Sequence, residues 1–444
     1  MKQKISITLS LLLLLGSVSA TACSNNEDIG SRNKNVLRIA SWDEYIDMGG
    51  EDSYYSPDSL PIYEEFEAWY NEGKPASEQI KVEYIALQDN ETMYNKIKMG
   101  DHYDLLCPSE YMAMKLKAEE MLAPFPESFF DKSNPENYYA KNVSEYTNEV
   151  FARANLSEYI AGYMWGSTGF VYNPETIGET PEESRKIMSS WHCLTSEECE
   201  RKITAKDNVR DSYLMGLGMY YENELLKLDS TSSNYAEILA EKMNDTTPET
   251  MNGVKKMLEK ARLNLYGLET DEGKTDVIMG RLDASYQWSG DAVFILDEAE
   301  SKNDLLLEYS VPKSASNLFF DGWVMMKDAN QEAALAFVNF ISRPENVVRN
   351  MYYIGYTSCV AGEEVYNYVS DTYSAEEGAE NTVLYDLSYF FGEEYEPLVV
   401  TEDQTRRQLF AQYPDAETKN RLVVMDYFDK EENERANRMW NNIK

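Results

Sequence analysis

From Val36 onward, short apolar runs alternate with amphipathic stretches, the pattern of an α/β body. VLRIASW reads as a first strand. In PIYEEFEAWYNEG, Tyr63, Phe66 and Tyr70 recur at helical spacing, and IKVEYIAL then alternates as a second strand. NETMYNKIKMG sets Met93 and Ile97 four apart on a helix that Gly100 can end, and HYDLLCPS supplies a buried strand closed by Pro108. A similar unit restarts near Ala161 with GYMWGSTGFVYN. The stretch from about Ser184 to Thr270 is helical and acidic, and LDASYQWSGDAVFIL, LLLEYSVP and LFFDGWVMM follow it. In QEAALAFVNFISRPE, Ala334, Phe337, Val338 and Ile341 make one helix face, which Arg343-Pro344 stops. The segment 363–408, rich in Tyr, Glu and Ser, shows no clear period and reads as a surface insertion.

The N-terminus changes the picture of where this body resides. Lys2 and Lys4 precede an apolar stretch from about Ile5 to Val18 that ends in small residues, the form of an export signal. The run is shorter than the roughly 20 residues a spanning helix needs. Ala20-Thr21-Ala22-Cys23 is similar to the lipobox of bacterial lipoproteins, so that Cys23 is expected to be acylated and to become the first residue, followed by a polar tether.

Charge and residue counts mainly exclude. Seventy-eight acidic against 41 basic residues give a net charge of −37, which argues against nucleic acid and against a polybasic membrane contact. With only His102 and His192, multi-histidine zinc sites and Ser-His-Asp chemistry are not expected, and neither a cofactor nor a metal is called for. Cys107 and Cys359 stand alone in apolar or small-residue contexts and read as buried thiols. Cys193 and Cys199 are close enough for a local disulfide in an oxidising compartment.

Asp321, inside LFFDGWVMM, is the residue that demands an explanation. An ionised carboxylate in an otherwise apolar strand costs several kcal/mol unless it reaches solvent, pairs with an internal cation or receives one from outside. Three other segments also place an aromatic residue near a carboxylate or hydroxyl at a predicted strand end: SWDEY, CPSEY and QWSGD. Strand ends are where open α/β sheets bind ligands. Aromatic faces and carboxylates together suit an organic ammonium, and a pair of such sets suits a polyamine.

These motifs carry a family resemblance. SWDEYI, NETMYNKIKMG followed by YDLLCPSEY, YMWGSTGFVYN, DNVRDSY, QWSGDAV, LFFDGWVM, NFISRPE with IGYT after it, and YPDAET resemble the extracytoplasmic spermidine/putrescine-binding proteins of polyamine ABC importers. The resemblance runs discontinuously over Leu37 to Thr357. It implies a two-lobed periplasmic-binding-protein fold of the second type, with a hinge and an interlobe ligand cleft. Its parts would be a signal at 1–22, a lipid-anchored tether at 23–36, a first lobe from 37–160 and 318–357, and a second lobe from 161–317 and 358–444. It further implies a non-catalytic, monomeric lipoprotein that delivers a polyamine to an ABC permease outside the cytoplasmic membrane.

Carried over position by position, Trp42 and Tyr45 resemble first-loop aromatic contacts, with Asp43 and Glu44 between them. Ser109 and Tyr111 fall on a serine and second-loop contact, Asp211 on an acid of the second lobe, Trp288 on a wall tryptophan and Tyr356 on a late tyrosine. Asp321 falls on the principal ammonium-binding aspartate. Asp291 and Phe319 resemble the putrescine-preferring branch. Asn208 stands where the spermidine-preferring branch has an aspartate, and no C-terminal glutamine can be matched. The alternatives are a binding protein for another solute, such as a sugar or, from Tyr352-Tyr353, ferric iron, and an extracellular glycosidase with paired carboxylates.

Overall fold

The computed structural model describes residues 34–269 and 272–444. The expected export signal and Cys23 lie outside the described residues.

The main sheet includes β1 (Val36–Trp42), β2 (Lys81–Leu87), β3 (Leu105–Leu106), β4 (Leu122–Ala123), β5 (Ala161–Tyr172), β6 (Ile203–Lys206), β7 (Gly267–Glu269), β8 (Ala284–Trp288), β9 (Glu308–Ser310) and β10 (Ser316–Met326). Their hydrogen-bonded order is β2-β1-β3-β10-β5-β8-β6-β7, with β4 beside β10 and β9 beside β5. β1 pairs in parallel with β2 and β3, as the strand-helix-strand pattern requires. On the other side β6 pairs in parallel with β7 and β8. Two long antiparallel strands, β5 and β10, join these halves. Every residue of β5 and all of β10 except Met326 is buried, which is why both read as unbroken apolar runs instead of alternating ones.

Helices cover the sheet where the apolar spacing places them. Ile62–Asn71 buries Ile62, Phe66 and Tyr70, while Tyr63 stacks on Tyr84 at its edge. Asn90–Lys98 starts at Asp89, whose carboxylate accepts from the Thr92 N–H, and Gly100 just beyond its end takes a φ of 103°. Gln331–Ile341 buries Ala334, Phe337, Val338 and Ile341, and Pro344 opens a new helix, Pro344–Ile354.

Two buried clusters result. One gathers β1, β3, most of β10, the first half of β5 and the helices just named. The other gathers β6, parts of β5 and β8, the helices Val209–Leu225 and Pro248–Asn264, and the C-terminal helix Lys430–Asn441.

Two sequence expectations differ from the structure. The segment 363–408 is ordered: it forms the helix Glu363–Tyr373 and a hairpin of Thr382–Tyr385 with Leu398–Thr401. Its Val365, Val369, Phe390, Phe391 and Val400 are sealed into the first cluster. Residues from Cys359 to Tyr413 pack in the first cluster and those from Val423 to Ile443 in the second. Finally, Cys193 and Cys199 are free, buried thiols and not a disulfide. Cys193 lies in a short 3-10 turn, Trp191–Thr195, and the Cys199 sulfur packs 3.9 Å from that of Met188, so each fills core space as a small apolar side chain.

Candidate ligand-binding site

Asp321 lies where β10 slips register against β5, at a bulge between Asp321 and Gly322, and it bridges across to Ser109. A bulge of this kind re-aims a side chain. Only 5 % of the residue is exposed, so the first possibility, an acid in water, is excluded. Its partners exclude the second. Tyr45 donates to Oδ2 at 2.6 Å, Ser109 donates to Oδ1 at 2.7 Å, and the Trp42 indole adds a third donor. Among the described residues no lysine or arginine ion-pairs with it. Burial lifts its carboxyl to about 6, while the three donors pull the other way.

The donors are themselves held. Ser109 receives a hydrogen bond from the Asn90 side chain at 3.0 Å and its own N–H donates back to Asn90 at 3.1 Å. Tyr45 makes edge contacts with Tyr163 and with Tyr356, at 5.7 and 5.5 Å between centroids, and Tyr356 lies 6.1 Å from Phe319. Tyr356 in turn presses on the turn after Trp288: a Cβ at Gly290 would fall 1.9 Å from its ring, so only glycine fits there. Through this turn the Asp321 end of the site is continuous with the Trp288 end.

At that second end the Trp288 indole donates to Asp211, a buried acid that burial raises to about 6. The ammonium of Lys206, on β6, sits 3.7 Å from the centre of the Trp288 ring. Lys206 is 2 % exposed and reaches Asp291 at 3.2 Å, while Lys274 reaches the other oxygen of Asp291 at 2.8 Å. Burial alone would raise the Asp291 carboxyl, but these two lysines hold it below the usual range. Asp291 is therefore committed to two cations of the chain instead of standing open for a ligand. Tyr111 is buried nearby, with the Arg210 guanidinium 4.7 Å from its ring centre and its hydroxyl 3.4 Å from Glu91. The neighbouring Glu110, whose carboxylate accepts from the Phe320 N–H at 2.8 Å, is pushed up to about 8 by burial.

The structure thus brings Trp42, Tyr45, Ser109, Tyr111, Asp211, Trp288, Asp291, Phe319, Asp321 and Tyr356 into one connected region. Asp43 and Glu44, between Trp42 and Tyr45, are exposed, in a turn where Glu44 adopts φ 51°. Sequence reasoning missed Lys206 and Lys274, because a lysine on an apolar strand or a surface helix carries no signal until its partner is known. It also missed Gln412, which is buried, donates to the Gly355 carbonyl at 3.1 Å and accepts from Tyr373 at 2.9 Å. Tyr352 packs on Tyr54, with centroids 5.1 Å apart.

Residues 62–380 match the family described as bacterial extracellular solute-binding protein. The chain belongs to this family. Relatives of this solute-binding protein include a putrescine-binding periplasmic protein of Pseudomonas aeruginosa, 27 % identical over 352 residues, covering 78 % of this chain and 82 % of that one. A spermidine/putrescine-binding periplasmic protein of Escherichia coli is 25 % identical over 348 residues, covering 78 % and 80 %. Among solved structures, the spermidine/putrescine ABC transporter substrate-binding protein of Streptococcus pneumoniae matches with a TM-score of 0.59 and 26 % identity, covering 92 % of this chain and 98 % of that one. A putative spermidine/putrescine ABC transporter protein of Listeria monocytogenes gives a TM-score of 0.62 at 24 % identity, over 92 % and 98 %. The fold of this solute-binding protein is the two-lobed type II one. Among its described residues no helix is long and apolar enough to cross a membrane.

Proposed function

We propose that this solute-binding protein captures an amine of the polyamine class between its lobes and passes it to the permease of an ABC importer. The observation that carries the reading is Asp321: a buried carboxylate held by neutral donors, with Tyr45 on it and the Tyr356 and Phe319 rings following in series behind Tyr45. Such a group is costly when empty and is relieved by an arriving ammonium, which the aromatic faces also attract. The names of the relatives, putrescine-binding and spermidine/putrescine-binding, point to the same ligand class. In this reading Phe319 favours a short amine of putrescine's length, and binding and release are the protein's whole task, with no catalytic step. The chain acts as a monomer outside the cytoplasmic membrane, anchored through acylated Cys23.

Native mass spectrometry of the gently purified full-length protein tests the reading. The expected result is an added mass equal to an aliphatic amine, lost on dialysis. A co-purified sugar or ferric ion at this site would refute it.

A further inference from the structure

The end of the site around Trp288 has what a second ammonium would seek: an indole face, the buried carboxylate of Asp211 and the partly buried one of Asp291. That place is filled from within. Lys206 lays its own ammonium on the Trp288 ring at 3.7 Å and on Asp291 at 3.2 Å. Lys274 takes the other Asp291 oxygen at 2.8 Å. Asp211 faces both Lys206 and Arg210. Arg210 is locked against Phe428 at 3.7 Å and Tyr111 at 4.7 Å. Asp211 and Asp291 are thus already opposite cations of the chain, whereas among the described residues no lysine or arginine ion-pairs with Asp321.

We propose that Lys206 is a specificity-determining residue that stands in for a second ammonium, so that the site takes amines carrying one ammonium, anchored at Asp321, in preference to diamines. This rests on the amine reading above and narrows it. A diamine long enough to reach Trp288 brings its second charge against Lys206 and Lys274, and like charges brought together in a buried site cost several kcal/mol. An amine whose far end is uncharged meets no such repulsion. Rejection is built by the repulsive element, not by the absence of an attractive one.

Calorimetry on the full-length protein, dialysed free of ligand, tests this with putrescine and N-acetylputrescine, which share a four-carbon spacing and differ in the charge of one end. The wild-type protein is expected to bind N-acetylputrescine about tenfold or more tightly than putrescine. Lys206→Met keeps an unbranched side chain one atom shorter, removes the charge and leaves Asp291 paired with Lys274. It is expected to raise putrescine affinity about tenfold or more relative to N-acetylputrescine. Tighter binding of putrescine than of N-acetylputrescine by the wild type overturns the inference without any variant, and so does a ratio unmoved by Lys206→Met; both leave the amine reading standing. Failure of both amines and of spermidine to bind the wild type overturns the amine reading and this inference together.

Discussion

Replacing Asp321 by asparagine separates the cost of the empty site from its benefit. In the free protein the carboxyl is raised from 3.8 to about 6, chiefly by burial. Below about pH 4 it is protonated in both folded and unfolded chains and costs nothing. Between about 4 and 6 the unfolded chain gives up this proton first, the folded state holds more protons, and stability falls as pH rises. Above 6 the full cost is present. Two pH units correspond to about 3 kcal/mol at 1.36 kcal/mol each. Asp321→Asn retains an acceptor for Tyr45 or Ser109, whose hydroxyls can also rotate to accept from the amide. It loses charge-assisted bonding, but it no longer buries a charge. Urea unfolding of the ligand-free protein at pH 4.5 and 7.5 should therefore show the variant gaining on the wild type as pH rises, by about 2 kcal/mol between these two values. Calorimetry should show amine affinity falling by about 2 to 5 kcal/mol, the loss for truncating one side of a buried charged pair. A variant less stable than the wild type by several kcal/mol at pH 7.5 would mean that Asp321 is paired within the chain. Unchanged amine binding in the folded variant would mean that the carboxylate does not hold the ligand.

Closure and the thiols give two further predictions. If the ligand touches both lobes, small-angle scattering should show the radius of gyration decreasing when the bound amine is added; an unchanged radius at proven saturation would rule out a two-lobe clamp. Alkylation under denaturing, non-reducing conditions should modify both Cys193 and Cys199, each buried as a free thiol, and a mass two hydrogens lower with those two protected would restore the disulfide.

Local patterns were legible wherever one periodicity governed a segment. VLRIASW, NETMYNKIK and QEAALAFVNFI became the strand and helices that their apolar spacing implied. The segment 363–408 was illegible for a physical reason: its Tyr and Phe residues are buried by contacts far away in sequence, such as the Tyr385 hydroxyl on the Tyr413 carbonyl at 2.6 Å and the Ser144 hydroxyl on that of Phe390 at 2.8 Å. Asp321 could be singled out because an acid inside an apolar strand conflicts with its surroundings. Lys206 could not, because its meaning depends on Trp288 and Asp291, about 80 positions later. The exposure of Asp43 and Glu44 was not legible either, because it follows from a turn in which Glu44 takes a positive φ.

The bulge in β10 has a consequence for how such a protein can diverge. It puts the anchoring acid on one of the two strands that join the halves of the sheet, so any change at 321 or 322 alters recognition and mechanics together. The Trp288 end is different, since β6 and β8 belong to one half alone. On the role proposed for Lys206, substitutions at 206 or 274 would alter which amine is accepted while leaving the joining strands as they are. Ligand preference can drift at one end of the site under selection while the capture motion is inherited intact.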